Sequence, residues 1–323
     1  FVENGLIDPL LFIDYSASYY AFKCKIEKTE PELTPKELCS LQFFSLEFAH
    51  GIRLHEILLL KLLCQNKNIS IDEFSDKLNS YGVKLNEKDL KGIENLLSPA
   101  FYTQADKKKY GEITYVKLDA EKKCFSRTED FSILIENPVY KEELLDILSY
   151  AIKRATLKQN EIRYNDNLVL YRKYSRKDVC KLLNWKNDCS STVYGYKTET
   201  STEDFTCPIF VTYNKKDDIS DSTKYEDVFI DNTRFSWMSR SRRTSKSDEV
   251  AALINQPKNK IKIMLFVKKD DAEGNDFYYL GKMKYNSFED TKMISGDSVV
   301  NIQFDMETPV PNHLYNYLEG HTA

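Results

Sequence analysis

The chain has 323 residues, with 46 Lys and Arg against 50 Asp and Glu, a formal net charge of −4 and 41% hydrophobic residues. That length supports two or three ordinary cores, and the negative balance excludes a general polyanion binder, so any nucleic-acid surface must be local. No apolar run approaches the roughly 20 residues needed to cross a bilayer, which excludes a helical membrane span.

The lead-in, residues 1 to 33, is irregular, with apolar clusters at Leu10 to Ile13 and Tyr19 to Phe22. Phe1 without a basic n-region is not a signal peptide, and we expect a piece of a longer polypeptide. Thr34 followed by Pro35 reads as an N-cap and first helical position, with Leu38, Leu41, Phe44 and Phe48 on one face. Helices are predicted over His55 to Asn66, Ile71 to Tyr81 and Asn86 to Leu97. Extended pieces over Phe101 to Gln104 and Glu112 to Leu118 follow, with Lys107, Lys108 and Lys109 in the turn between them. Three helices and a hairpin give the order of a winged-helix unit over about 54–120. Its third helix carries more acids than lysines, which favours packing against protein over DNA contact. Glu142 to Thr156 is an amphipathic helix, and the polar stretch after it marks a boundary between a helical domain, 1–160, and a second domain, 161–323.

In the second domain, Leu168 to Tyr171 reads as a strand and Ser175 caps a helix ending before Trp185. Strands are predicted over Val193 to Lys197, Pro208 to Tyr213, Val228 to Ile230, Phe235 to Met238, Ile261 to Lys268, Phe277 to Met283 and Val299 to Phe304, with one helix over Asp248 to Ile254. The fold class is therefore α+β, a mainly helical domain followed by a small curved β-barrel.

The seven cysteines are scattered without a C-x-x-C pair, and His50, His55, His313 and His321 complete no ligand spacing with them. They read as reduced thiols of a cytoplasmic protein, with neither metal nor cofactor expected. No G-x-x-x-x-G-K-[ST] or H-x-K motif occurs, so the chain by itself is not expected to be an enzyme. Asp119, Glu121 and Lys123 are the best alternative nuclease cluster, and they are three charges near a hairpin end.

The stretch from Thr192 to Lys246 carries the densest candidate chemistry. A cytosine taken out of a duplex must regain a few kcal/mol of stacking and pairing, and aromatic faces return roughly 1–3 kcal/mol each. Tyr194, Tyr196, Tyr225, Phe235 and Trp237 are candidates, with Tyr194 and Tyr196 on one strand face if the alternation is regular. Each of them serves equally well as barrel core. Cytosine N4 donates a hydrogen bond, which Asp227 or Asp231 can accept, and Ser239 lies beside them. Burying a methyl group is worth only about 0.8 kcal/mol, so selectivity for a modified base needs a shaped pocket. Arg240, Arg242, Arg243 and Lys246 in SRSRRTSK suit DNA phosphates, with Lys215 in a weaker second patch.

The ordered segments YSRKDVCKLLNW, TVYGYK, CPIFVTYNK, YEDVFIDNTRFSWMSR, IMLFVKK and FYYLGK resemble the C-terminal domain appended to bacterial DEAD/DEAH-type helicases. They are most similar to the C-terminal region of SauUSI-like type IV restriction enzymes. For residues 1 to 160 the resemblance rests on position and helical character. It implies a helical coupling region followed by an SRA-like target-recognition domain that flips 5-methylcytosine or 5-hydroxymethylcytosine from duplex DNA. It further implies helicase and nuclease domains in the same polypeptide as partners; the sequence itself gives no membrane partner and leaves a homodimer open. The competing reading is a protein-interaction module that regulates a helicase without touching bases.

Overall fold

The structure, a computed structural model, describes residues 18–156, 167–193, 195–199, 204–213 and 227–320. The chain divides into two compact units, Phe1–Asn160 with Lys186–Asp188, and Glu161–Trp185 with Cys189–Ala323.

The first unit opens with α1 (Tyr19–Glu27) and α2 (Pro35–Glu47). Thr34 and Glu37 close a capping box at the start of α2, with Pro35 inside the first turn, so two orphan N–H donors are satisfied where the sequence placed them. Phe43 and Phe44 on α2 are buried among Tyr115, Phe48 and Tyr102. The Ser40 hydroxyl holds the buried hydroxyls of Tyr115 and Tyr140 at 2.9 and 2.6 Å.

There follow α3 (Leu54–Leu63), β1 (Asn68–Ser70), α4 (Ile71–Asn79), α5 (Glu87–Leu96), α6 (Gln104–Tyr110), β2 (Val116–Asp119), β3 (Cys124–Arg127), α7 (Glu129–Glu136) and α8 (Pro138–Thr156). The strands form a sheet of order β1-β3-β2, all antiparallel. α3, α4, α5 and a further helix, α6, precede the hairpin, which lies later in the chain than the expected 101–118. Residues 104–110 form α6, whose Thr103 cap and Asp106 bond reciprocally, so Lys107, Lys108 and Lys109 lie in a helical last turn. The hairpin is β2–β3. Asp119, Glu121 and Lys123 lie at the end of β2 and in the turn after it, where half-buried Asp119 accepts the Lys122 N–H at 3.0 Å.

A buried ionic group lies at the starts of α3 and α5. Arg53 donates from Nε to Glu56 at 3.0 Å and lies 3.7 Å from Asp89. Beside them, His55 Nε2 lies 3.1 Å from the Lys84 carbonyl oxygen and 3.9 Å from Asp89, while Nδ1 is buried without a hydrogen-bond partner among the described residues. Burial, then the Arg53 charge, pushes the His55 pKa down despite Glu56 and Asp89. The unfolded chain therefore binds a proton near pH 6.5 that the folded chain refuses, so stability is full above that pH and falls as pH drops below it. We expect the unfolding midpoint of the first unit to decline from pH 7.5 to 5, at a slope of at most about 1.4 kcal/mol per pH unit from this group. His55→Gln should flatten that slope, and an equal slope in wild type and variant would assign the dependence elsewhere.

The second unit contains β4 (Lys173–Tyr174), α9 (Arg176–Leu182), β5 (Thr206–Thr212), β6 (Val228–Asp231), β7 (Arg234–Met238), α10 (Asp248–Ile254), α11 (Gln256–Asn259), β8 (Lys262–Lys268), β9 (Phe277–Lys292), β10 (Ser298–Met306) and α12 (Asn312–Glu319). One mixed sheet runs β5-β8-β9-β10-β7-β6, with β4 on β9. β5 and β8 are parallel, and the other pairs are antiparallel. The fold is α+β as expected. Among the described residues, however, the ladder ends at β5 and β6 without a pair that closes a barrel. Val300, Ile302 and Phe304 of β10 face the same core as Phe235 and Trp237 of β7, and α10 contributes Val250 and Leu253. Residues 168–171, expected as a strand, lie in none of these strands, and the two-residue β4 follows them, while the strand expected at 193–197 reduces to a single bridge, Tyr196 to Ile209. No helix among the described residues is long and apolar enough to cross a membrane.

Candidate nucleic-acid interface

The sequence of β7 puts Phe235 and Trp237 on one face and Ser236 and Met238 on the other. That face is the core side, and Trp237 is only 3% exposed. Its ring meets Tyr196 edge-on at 4.7 Å and 87° and tilts over Phe304 at 6.3 Å. Phe235 is wholly buried and meets Phe229 edge-on at 4.8 Å. These rings therefore pack against one another as core.

Tyr194, Tyr225 and Lys215 lie outside the described residues. Gly195 has φ of +87°, so the regular alternation that would set Tyr194 and Tyr196 on one face does not run through it.

Asp227 sits at the entrance to β6, where its Oδ1 accepts the Met238 N–H at 3.0 Å. This brings a carboxylate to the end of β7, beside Ser239 and Arg240. Asp231 is placed differently. It accepts from the Thr233 N–H and hydroxyl and from Arg234 at 2.7 Å, all within the β6–β7 turn. The Thr233 hydroxyl, then Arg234, hold its pKa down to about 2. A carboxylate committed to its own turn on the exposed hairpin is not brought to the Asp227 end. Ser239 is fully buried, donating its N–H to the Val300 carbonyl oxygen at 2.8 Å and accepting the Val300 N–H on its hydroxyl at 2.9 Å. It fastens β7 to β10.

The basic loop leaves the sheet at this point and is braced by acids that sequence reasoning missed. Arg240 lays its guanidinium 4.3 Å from the Tyr196 ring centroid and donates to the Tyr196 carbonyl oxygen. Glu249, in the first turn of α10, accepts from Arg243 Nε at 2.5 Å and lies 3.6 Å from Arg240. The Tyr196 hydroxyl approaches the same carboxylate without a hydrogen bond of normal geometry. Burial, then the Glu249 charge, raises its pKa. Burial alone would raise the Glu249 pKa too, but the Arg243 bond and the two guanidinium charges hold it below the usual carboxylate range.

Ser241 and Arg242 reach Asp297 at 3.0 and 3.4 Å, and Ser245 donates from both its N–H and hydroxyl to Asp290. Arg242 has φ of +62° and a side chain 82% exposed, so of the loop's arginines it projects furthest into solvent. Lys246 is exposed as well. The end of β7 thus gathers Asp227, Tyr196, Trp237, Ser239 and the basic loop, while Asp231 and Phe235 lie toward its other end. Among the described residues no group of His, Cys, Asp and Glu suits a metal ion.

Residues 168–318 match the family described as "Domain of unknown function (DUF3427)", and residues 1–160 match "Domain of unknown function (DUF8090)". No curated protein matches significantly. Among solved structures the chain is similar to the SUVH5 SRA domain in complex with fully methylated CG DNA, at 11% identity and TM-score 0.30, over 43% of this chain and 87% of that one. It is similar to KRYPTONITE in complex with mCHG DNA and SAH at 12% identity and TM-score 0.31, over 45% of this chain and 33% of that one. A third is Arabidopsis thaliana SUVH6 in complex with SAM, at 9% identity and TM-score 0.34, over 84% of this chain and 42% of that one.

Proposed function

We propose that the second unit recognises 5-methylcytosine or 5-hydroxymethylcytosine in duplex DNA. In this reading it serves as the target-recognition part of a longer ATP-dependent type IV restriction endonuclease, with the first unit coupling it to helicase and nuclease domains. The chain itself then binds and does not catalyse. The observation that carries the reading is the convergence, at one end of β7, of a carboxylate at Asp227 with a basic loop whose Arg242 side chain projects into solvent. A carboxylate accepts from cytosine N4 where thymine offers only an acceptor, and arginine holds phosphate through paired donors. SUVH5 SRA domains are solved on methylated and hydroxymethylated CG DNA, and the same class of ligand is proposed for this chain.

The test is binding to matched duplexes carrying cytosine, 5-methylcytosine or 5-hydroxymethylcytosine over a series of salt concentrations. The modified duplexes should bind at least about tenfold more tightly, a difference of about 1.4 kcal/mol. Arg242→Ala should weaken all three and reduce the salt slope by about one. Equal, weak binding to the three duplexes by the wild-type chain would overturn the reading.

A further inference from the structure

We infer that Glu249 is a positioning residue for DNA binding: it holds the basic loop in the shape that presents Arg242. The inference rests on the reading of that loop as a phosphate surface. In the loop, Arg240 and Arg243 flank Arg242 on either side, and both are drawn to the one Glu249 carboxylate. The Arg240, Arg243 and Glu249 side chains are 28%, 38% and 25% exposed, against 82% for Arg242. Arg240 is also seated on the Tyr196 ring and carbonyl, so the cluster is anchored to the sheet through Tyr196 and Trp237. With its neighbours fixed and its own backbone left-handed, Arg242 is directed outward. Two of the loop's four cations thus orient Arg242.

This assignment opposes the simple electrostatic expectation. If the loop were only a store of positive charge, deleting the Glu249 charge would raise affinity for a polyanion. If Glu249 orders the loop, the same deletion lowers affinity, because the loop must then be ordered on binding.

The experiment compares binding to the 5-methylcytosine duplex by the wild-type chain, Glu249→Gln, Glu249→Asp, Arg242→Ala, the double variant Glu249→Gln with Arg242→Ala, and Glu307→Gln. The last makes the same charge change outside the loop. Unfolding midpoints are measured for each. Glu249→Gln should bind about tenfold more weakly with its unfolding midpoint unchanged, Glu249→Asp should recover part of the loss, and Glu307→Gln should bind at least as well as wild type. Adding Glu249→Gln to Arg242→Ala should cost nothing further. Binding by Glu249→Gln as tight as wild type or tighter overturns the inference, as does a double variant whose losses simply add. A wild-type chain that binds no duplex overturns the underlying DNA reading, and that result is visible without any variant.

Discussion

Trp237→Ala is expected to destabilise the second unit by about 3–5 kcal/mol, the range for deleting a large aromatic side chain from a core. The indole is 3% exposed, lies edge-on to Tyr196 and sits opposite Ile302 in the β7–β10 register. Truncation leaves a void bounded by the sheet itself, which cannot collapse without disturbing Ser239 and the strand pairing beside it. DNA binding should then fall for modified and unmodified duplexes alike, following the fraction folded. Urea denaturation followed by tryptophan-independent circular dichroism reads the effect. A midpoint unchanged within about 0.5 kcal/mol, with discrimination lost, would place Trp237 at the base after all.

The variant that reads the pocket is Asp227→Asn. Its side-chain oxygen can still accept the Met238 N–H, while the new amide group offers a donor where cytosine N4 is also a donor. Discrimination should fall about tenfold with the midpoint unchanged.

The pattern of alternating Phe235 and Trp237 made a strand face legible, and α10 appears over Asp248–Ile254 as expected. Periodicity gives the face a side chain shares. It does not say whether that face opens into a pocket or closes into core, because this depends on strands distant in sequence, here β10 and the Tyr196 bridge. Glu249 was illegible for a related reason. In the first turn of a helix, an acid reads as a partner of the helix dipole, and its two arginines become visible only when the loop folds back over α10. The displaced hairpin of the first unit had a local signal that the Lys107 to Lys109 run obscured: Thr103 and Asp106 have the spacing of a helix cap.

In the first unit the largest single-residue effect is expected at Gly51, between α2 and α3. Its φ is +63°, and a Cβ there would lie 2.6 Å from the Ala151 carbonyl oxygen, 2.8 Å from Arg154 Cβ and 2.9 Å from the Ala155 nitrogen. Two of these three are backbone atoms of α8, which cannot rotate away. Alanine would pay about 1–2 kcal/mol for the left-handed conformation and about 1–3 kcal/mol for displacing the helix, giving about 2–5 kcal/mol in all. Gly82 supplies the internal control, since its φ is +71° but a Cβ there meets nothing within 4 Å. Gly82→Ala should therefore show the conformational cost alone. The difference between the two unfolding midpoints measures the close approach of the Gly51 backbone to α8, and equal losses at both positions would show that this approach yields freely.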